Sequence, residues 1–350
     1  MNDVLVSRRG GLGLITLNRP KAINALTHGM VTAITEQLRL WAEDDTVRTV
    51  AIGGAGPRGL CAGGDIVSLY RDATDGDGSS SAAFWADEYR LNSMIANYPK
   101  PYVALMDGIV LGGGIGISAH GSHRIVTERS SLGMPETGIG FVPDVGGTWL
   151  LAHAPGELGT HLALTAGSVQ AGDAIALGLA DHYLRAARIP QLIVALETQQ
   201  ADVAVASVVE EPPASALLHQ REWIDAAYAG DDLAEIVARL AGSAIDDART
   251  AAATIGAKSP TALAVTLAAV RRAAELDSLE AALEQEFRVS IRALTAHDFA
   301  EGVRAQVIDR DRDPHWSPAT IAGVSAEEVA SYFEPLRADE PQFSIAVARH

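Results

Sequence analysis

Short apolar runs alternate with amphipathic segments through the first half of the chain. Residues 11–18 (GLGLITLN), 47–52 and 102–106 are apolar stretches bounded by glycine or polar residues, and each predicts a strand. Thr27 is a predicted N-cap, and the helix after it carries an apolar stripe at Val31, Ile34, Leu38 and Trp41. This alternation predicts an α/β fold with glycine at most of the crossovers.

The second half of the chain has a different pattern of residues. From about residue 191 onward alanine-rich helical patterns dominate, and Ser259 with Pro260 predicts the N-cap and first position of one helix. The stripe of the next helix consists of Leu283, Phe287, Ile291 and Leu294. We therefore divide the chain into an α/β core, residues 1–190, and a helical C-terminal region, residues 191–350. Residues 72–81 (DATDGDGSSS) are polar and glycine-rich, and they predict a mobile surface loop.

Charge and composition narrow the function classes. Of 350 residues 48% are apolar and 20% charged, and the net charge of −17 argues against a nucleic-acid partner. The single cysteine, Cys61, excludes an internal disulfide and fits a reducing compartment. We find no secretory-signal pattern and no run of 18 apolar residues, so we expect a cytoplasmic protein without a membrane partner. The nearest histidine pair, His120 and His123, lacks further ligands at metal spacing, and we predict no metal site.

Two carboxylates stand out in residues 134–147, MPETGIGFVPDVGG. Glu136 and Asp144 are the only charges in this apolar, glycine-rich stretch, where desolvation raises the pKa of a carboxyl. Glu136 follows a proline and precedes residues that do not favour a helix, so we expect it in a loop at the end of a strand. Asp144 precedes a plausible helix start, and taken alone it is better explained as a helix cap than as a catalytic group.

Three glycine clusters are candidate ligand-binding loops. Residues 54–59 match the dinucleotide pattern G-x-G-x-x-G, but a helix starting there would contain several glycines, which disfavours a nicotinamide site. Residues 61–66 (CAGGDI) and 112–114 (GGG) can present backbone N–H groups to a ligand, and the second cluster is expected to open a helix. Two such donors aimed at one carbonyl would form an oxyanion hole. Each cluster taken singly is better explained by a tight turn than by a ligand-binding loop.

The order AGGD, GGG, PE and PDVGG resembles the crotonase (enoyl-CoA hydratase/isomerase) superfamily. The resemblance implies a spiral of ββα units followed by C-terminal helices. It also implies that the N–H groups of Ala62 and Gly113 hold the thioester carbonyl of an acyl-CoA. Neighbouring residues implied to contact substrate are Gly63, Gly64, Asp65 and Gly112. The segment RPKAINAL, residues 19–26, is similar to the family's first CoA-contacting loop.

Four further segments resemble the 3-hydroxyisobutyryl-CoA hydrolase branch of that superfamily. They are residues 84–92, 100–118, 134–147 and 297–316, and general crotonases lack the last. The resemblance implies that Glu88, Gly113, Glu136 and Asp144 contact substrate and that Glu136 and Asp144 are catalytic. Hydratases of the family carry a glutamate three residues after the middle glycine, where this chain has Gly116. This departure favours hydrolysis over hydration and makes Asp144 the best candidate for the second carboxylate.

The resulting hypothesis is hydrolysis of a short β-hydroxyacyl-CoA thioester, such as the 3-hydroxyisobutyryl ester of valine catabolism. Glu136 would attack the carbonyl or activate water, and both routes stay open. CoA is part of the substrate, and we expect no separate cofactor. The candidate CoA-contacting residues are Arg19, Lys21, Ala22 and Arg58, whose alternative role is that of ordinary surface residues. Crotonases commonly form trimers or pairs of trimers through C-terminal helices, so the resemblance is compatible with such a homo-oligomer. The alternative is that the extended C-terminal region folds back over the chain's own site, and the sequence leaves both open. The alternatives are a hydratase or isomerase of the same superfamily and a non-catalytic acyl-CoA-binding protein.

Overall fold

The computed structural model describes residues 2–336 and 340–343. Its strands run along the chain as β1 Val4–Arg9, β2 Leu12–Leu17, β3 Thr49–Gly54, β4 Gly59–Cys61, β5 Tyr102–Met106, β6 Ile109–Leu111, β7 His123–Val126, β8 Ser131–Gly133, β9 Ser168–Val169 and β10 His182–Tyr183. They form two sheets, a larger one in the order β1-β2-β3-β5-β7-β10 and a smaller one in the order β4-β6-β8-β9.

Successive strands alternate between the two sheets. From β3 to β8 each strand of the large sheet is followed by one of the small sheet, so the chain advances as a spiral of two strands per turn. Within each sheet these strands are parallel, which requires a crossover between neighbours. The antiparallel pairs are β1 with β2 and β8 with β9, at the sheet ends. The predicted α/β fold with its spiral of ββα units is confirmed.

Helices surround the sheets and make up the second half of the described chain. They are α1 His28–Ala42, α2 Ile66–Asp75, α3 Ser79–Ala96, α4 Gly113–Gly116, α5 Gly147–Ala152, α6 Leu158–Thr165, α7 Ala171–Ala176, α8 Ile189–Thr198, α9 Ala201–Ala206, α10 Ala216–Tyr228, α11 Leu233–Ala241, α12 Asp246–Gly256, α13 Pro260–Ala273, α14 Leu279–Thr295, α15 His297–Val303 and α16 Ala326–Ser331. The predicted N-caps are present: the Thr27 hydroxyl accepts from the Met30 amide, and the Ser259 hydroxyl accepts from the Ala262 amide.

The central strands of the large sheet are buried on both faces, whereas the edge strand β1 is exposed. Alternate residues of β2 point to opposite sides, so that Ile15 and Leu17 join one apolar cluster while Leu12 and Leu14 join another under α8 and α9. The first cluster also contains residues of α13, α14 and α15 from the C-terminal region. Phe141 connects the two regions, because its ring stacks on Trp85 at 5.4 Å and meets Phe299 at 5.5 Å between centroids.

Three local features differ from the sequence expectations. Residues 72–81 are not one loop, since α2 extends to Asp75 and α3 begins at Ser79, and that expectation is wrong. The second strand is present, but its bounds are Thr49–Gly54 rather than 47–52. The GGG segment opens a helix of only one turn, α4, which ends at Gly116. So short a helix has too small a dipole to attract a negative charge. At residues 72–81 the aromatic residues that follow, Phe84, Trp85 and Tyr89, are buried in the core, and this burial outweighs the polar start of the segment.

Candidate active site

Three candidate segments meet at one edge of the small sheet. The parallel strands β4, β6 and β8 end there, and each is followed by one of the motifs AGG, GGG and PE. Carboxyl ends of parallel strands are where α/β proteins bind ligands, because the connections diverge at that edge. A cavity of about 140 Å³ lies between the three segments and α3. Its lining includes Gly64, Glu88, Gly112, Gly113, Glu136 and Asp144.

A larger recess exists elsewhere but gathers none of these residues. It has a volume of about 830 Å³ and lies between α11, α13 and α16. Its walls are mainly apolar, with Arg271 and Arg272 on one side. The small cavity therefore holds the candidate chemistry.

Three carboxyls in the cavity are removed from water. Glu88, Glu136 and Asp144 are 2%, 6% and 5% exposed. Among the described residues, nothing donates a hydrogen bond to Glu88 Oε1 or Glu136 Oε2. Burial, and then the charge of Asp144, raises the pKa of both glutamates well above the usual range. Burial also raises the pKa of Asp144 to about 7. This is the desolvated pair that the sequence predicted, with Glu88 as a third member.

Glu136 is held from two sides. It opens a 3-10 turn, Glu136–Ile139, directly after β8, so the expected open loop is a short helical turn. The C-terminal helix α15 lies against this turn without room for side chains. A Cβ on Gly140 would overlap the backbone of Asp298, and one on Gly302 would overlap the backbone of Ile139. Helix α15 therefore fixes the backbone that carries Glu136.

Asp144 is not the helix cap that its position suggested. Helix α5 begins at Gly147, and its free amides are satisfied by Glu286 of α14, which accepts from the Gly146 amide at 2.6 Å and the Thr148 amide at 2.9 Å. The Asp144 side chain instead accepts from the Tyr89 hydroxyl at 2.8 Å. Because a distant glutamate performs the capping, the Asp144 carboxyl is left for the cavity.

The backbone hydrogen bonds favour a different amide from the expected one as an oxyanion donor. The Ala62 N–H donates to the Ile23 carbonyl at 2.9 Å, so it is occupied and its expected role as oxyanion donor is contradicted. Within the described residues, no acceptor lies on the Gly64 or Gly113 amide. A Cβ built on Gly113 would lie 3.3 Å from the Gly64 nitrogen, so these two amides flank the same space. The structure therefore places Gly64, rather than Ala62, opposite Gly113.

There is no room at residue 116 for the glutamate that hydratases of the family carry there. A Cβ on Gly116 would lie 2.6 Å from the Val145 Cβ and 2.8 Å from Asn92 Nδ2, closer than real Cβ contacts. Asn92 is fully buried and lies one helical turn after Glu88. Any side chain at residue 116 therefore has to displace two buried neighbours.

Of the candidate CoA-contacting residues, Arg19 and Arg58 bind other parts of the protein, whereas Lys21 and Ala22 are exposed. Arg19 binds the Asp65 carboxylate at 3.0 Å and the Ala25 carbonyl at 2.5 Å, so it ties the 19–26 segment to the AGGD loop. Asp65 is occupied by that contact and lies outside the cavity lining, which argues against its predicted contact with the acyl group. Arg58 donates to the carbonyls of Pro20 and Lys21, each at 2.6 Å.

Lys21 and Ala22 remain open to solvent in the same segment. Within the described part of the chain no carboxylate lies within 4 Å of the Lys21 ammonium, which leaves this cation available for a phosphate.

Residues 2–336 and 340–343 contain no cluster of three or more metal-ligating side chains. No single helix among them is long and apolar enough to span a bilayer. The bent pair Asp246–Gly256 and Pro260–Ala273, at 116°, meets the length and composition test only jointly.

Sequence reasoning missed Tyr89, Asn92, Glu286 and Ser290. Glu286 and Ser290 lie one residue before Phe287 and Ile291, on the apolar side of α14, and both are buried. A polar pair at i and i+4 within an apolar stripe is the signal that could have found them. Their partners are more than 130 residues away in sequence, so the contacts themselves could not be predicted.

Comparison with known proteins places this geometry in context. The sequence profile described as enoyl-CoA hydratase/isomerase matches residues 12–333. A mitochondrial 3-hydroxyisobutyryl-CoA hydrolase from Danio rerio is 40% identical over 346 residues, covering 96% of this chain and 90% of that protein.

Two solved structures are similar over nearly their whole length. One, described as a carnitinyl-CoA dehydratase from Mycobacterium thermoresistibile, has a TM-score of 0.94 and 52% identity, covering 98% of this chain and 99% of that one. The other, described as an enoyl-CoA hydratase from Rhodobacter sphaeroides 2.4.1, has a TM-score of 0.91 and 44% identity, covering 96% and 98%.

Proposed function

The chain belongs to the enoyl-CoA hydratase/isomerase family, and we propose that it hydrolyses the thioester of a short β-hydroxyacyl-CoA, with 3-hydroxyisobutyryl-CoA as the preferred substrate. The single observation that carries this proposal is the buried pair Glu136 and Asp144, which shares one small cavity with two open backbone amides. The names of the curated relatives support the same reaction.

The open amides supply the electrophilic half of the reaction. We assign the oxyanion hole to the N–H groups of Gly64 and Gly113, because both face the same space and neither has a protein acceptor among the described residues. Each such donor is worth about 3–4 kcal/mol of transition-state stabilisation in known acyl-transfer sites. This assignment replaces the one inferred from sequence, which had Ala62 in place of Gly64.

Glu136 supplies the nucleophilic half. Its Oε2 is buried and free of donors, and burial raises its pKa well above the usual range, so the carboxyl holds its proton tightly and, once ionised, is a poorly solvated and reactive base or nucleophile. It either attacks the polarised carbonyl or removes a proton from the attacking water. In both routes the CoA thiolate departs; in the first, water then hydrolyses the anhydride between the acyl group and Glu136, and in the second the acid forms directly. Because thiolate is a good leaving group, the reaction needs little help from a general acid.

Glu88 and Asp144 bind the rest of the acyl group. Burial raises the pKa of Glu88 well above its usual range, which favours the protonated form, and that form can donate a hydrogen bond. Asp144 is ionised at mildly alkaline pH and can accept one from the 3-hydroxyl or from the attacking water. The cavity volume of about 140 Å³ suits a short branched acyl chain rather than a long one.

Hydration is the second candidate reaction, because two similar solved structures are described as a hydratase and a dehydratase. The packing around Gly116 argues against it. Family hydratases add water with two glutamates, and this chain has neither a carboxyl at residue 116 nor space for one beside Val145 and Asn92. A protein that only binds acyl-CoA would have no use for two desolvated carboxyls, whose burial is costly.

A panel of CoA esters distinguishes the three possibilities. The purified protein is mixed with 3-hydroxyisobutyryl-, 3-hydroxypropionyl- and crotonyl-CoA, while free thiol is followed with a thiol reagent and the enoyl double bond by its ultraviolet absorbance. The proposal predicts thiol release from the two hydroxyacyl esters and no loss of the enoyl band. Loss of that band without thiol would establish a hydratase. No change in either signal would leave a binding protein. The proposed trimeric assembly is checked by the mass of the same sample in solution.

A further inference from the structure

Helix α14 directs two buried polar side chains toward the Asp144 loop. Glu286 and Ser290 lie one turn apart on the same face and are almost completely buried. Glu286 accepts hydrogen bonds from the Gly146 and Thr148 amides and from the Thr148 hydroxyl, at 2.5–2.9 Å. Ser290 Oγ lies 2.9 Å from the Tyr89 hydroxyl. The C-terminal region therefore reaches Asp144 and the residues that follow it by two separate routes.

The second route has a definite direction. Tyr89 donates to Asp144 Oδ2 at 2.8 Å, and a phenol has a single proton to give. Its oxygen must then accept from Ser290, so the chain of hydrogen bonds runs from Ser290 through Tyr89 to Asp144. Burial raises the pKa of Tyr89 well above its usual range, so this residue stays a neutral donor.

Apart from Tyr89, the titratable side chains around Asp144 do not support its charge, although its own backbone amide does. Glu88 faces it from α3, Glu136 from the 3-10 turn and Glu286 from α14, and all three are carboxyls. His120 contacts the neighbouring Val145 carbonyl through Nε2 at 2.8 Å. Burial lowers the pKa of His120 to about 4, so it adds no positive charge near neutrality. The Tyr89 hydroxyl is thus the side-chain donor that favours the ionised Asp144.

We propose that Tyr89 and Ser290 are positioning residues, which hold the Asp144 carboxyl in its ionised form and in one orientation, while Glu286 fixes the backbone that follows it. The C-terminal helix α14 then completes the active site within the same chain. This inference rests on the proposed function to the extent that Asp144 acts in hydrolysis. Neither Tyr89 nor Ser290 lines the cavity, so both act through Asp144 rather than on the substrate.

The test is the pH profile of kcat/KM for Tyr89→Phe and Ser290→Ala. Loss of one donor to a carboxylate is worth about one pKa unit, so the acidic limb of the Tyr89→Phe profile should move up by about that amount. Activity at pH 6 should fall about tenfold, activity at pH 9 should stay near that of the unmodified enzyme, and KM should change little. Ser290→Ala should move the limb in the same direction by a smaller amount.

Tyr102→Phe is the matched control. Tyr102 is also fully buried, and its hydroxyl donates to the Ile117 carbonyl at 2.9 Å. This variant should lose stability to a comparable extent with an unshifted pH profile. If Tyr102→Phe shifts the limb as far as Tyr89→Phe does, or if neither Tyr89→Phe nor Ser290→Ala shifts it, the positioning role is wrong.

A second readout separates this inference from the proposed function. The protein is labelled with 13C at aspartate Cγ, and the Asp144 resonance is identified by its absence in Asp144→Asn. Its titration midpoint should rise by about one unit in Tyr89→Phe whether or not the protein releases thiol. An inactive protein that shows this rise would overturn the hydrolase assignment alone. An active enzyme without the rise would overturn the role of Tyr89.

Discussion

The burial of Asp144 predicts that this residue lowers the free energy of unfolding at neutral pH. Its pKa rises from an ordinary value of 3.8 to about 7 in the folded protein. The folded state therefore binds the Asp144 proton more tightly than the unfolded chain does. Stability is unaffected below pH 3.8, falls as the pH rises toward 7, and above that carries the full penalty. Three pKa units at about 1.4 kcal/mol each amount to about 4 kcal/mol.

Asp144→Asn should remove this pH dependence. Asparagine has the same shape, and its side-chain oxygen can still accept from Tyr89, so the loop should keep its form. Urea unfolding at pH 5 and pH 8 gives the free energy of unfolding for both proteins. The difference between Asp144→Asn and the unmodified protein should grow by about 3 kcal/mol in favour of the variant over this range.

Asp45→Asn provides the reference, since Asp45 is exposed. It should show an almost constant difference from the unmodified protein at the two pH values. A constant difference for Asp144→Asn as well would mean that Asp144 is ionised at little cost in the fold, and the reasoning from burial would be refuted. A more stable but inactive Asp144→Asn is the expected outcome.

Three further predictions concern the walls of the site. Lys21→Glu should raise KM for CoA esters about five- to tenfold without changing kcat, whereas Arg9→Glu, exposed and outside the CoA-contacting segments, should change neither. Phe84 separates the small cavity from a neighbouring one of about 170 Å³. Phe84→Ala should therefore raise the ratio of kcat/KM for 3-hydroxyhexanoyl-CoA over 3-hydroxyisobutyryl-CoA about tenfold or more. An unchanged ratio would show that Phe84 does not limit the length of the acyl chain. Gly116→Glu should lower the free energy of unfolding by about 2 kcal/mol or more without producing hydration of crotonyl-CoA, and a stable, hydrating variant would contradict the packing argument.

Local patterns predicted the elements that depend on nearby residues. The Thr27 cap, the strand Tyr102–Met106 and the α13 start at Ser259 and Pro260 all follow from residues within a few positions of one another. The desolvated setting of Glu136 and Asp144 was also visible, because an apolar stretch with two charges is local information.

Long-range contacts decided the features that were mispredicted. Asp144 had the position of a cap, but Glu286 performs the capping from 138 or more residues away. The choice between the Ala62 and Gly64 amides depends on the Ile23 carbonyl, which no spacing rule places beside Ala62. The resemblance to a family named the segments that line the small cavity, and the fold then gave individual residues within them contacts that the sequence did not predict.

Steady-state thiol release from 3-hydroxyisobutyryl-CoA by the unmodified protein and by Glu136→Gln tests the central claim most directly. Glutamine keeps the shape of the side chain but can neither attack the carbonyl nor accept a proton from water. The account predicts rapid release by the unmodified protein and a loss of about a thousandfold or more in kcat for the variant. A kcat for Glu136→Gln close to that of the unmodified protein would contradict it.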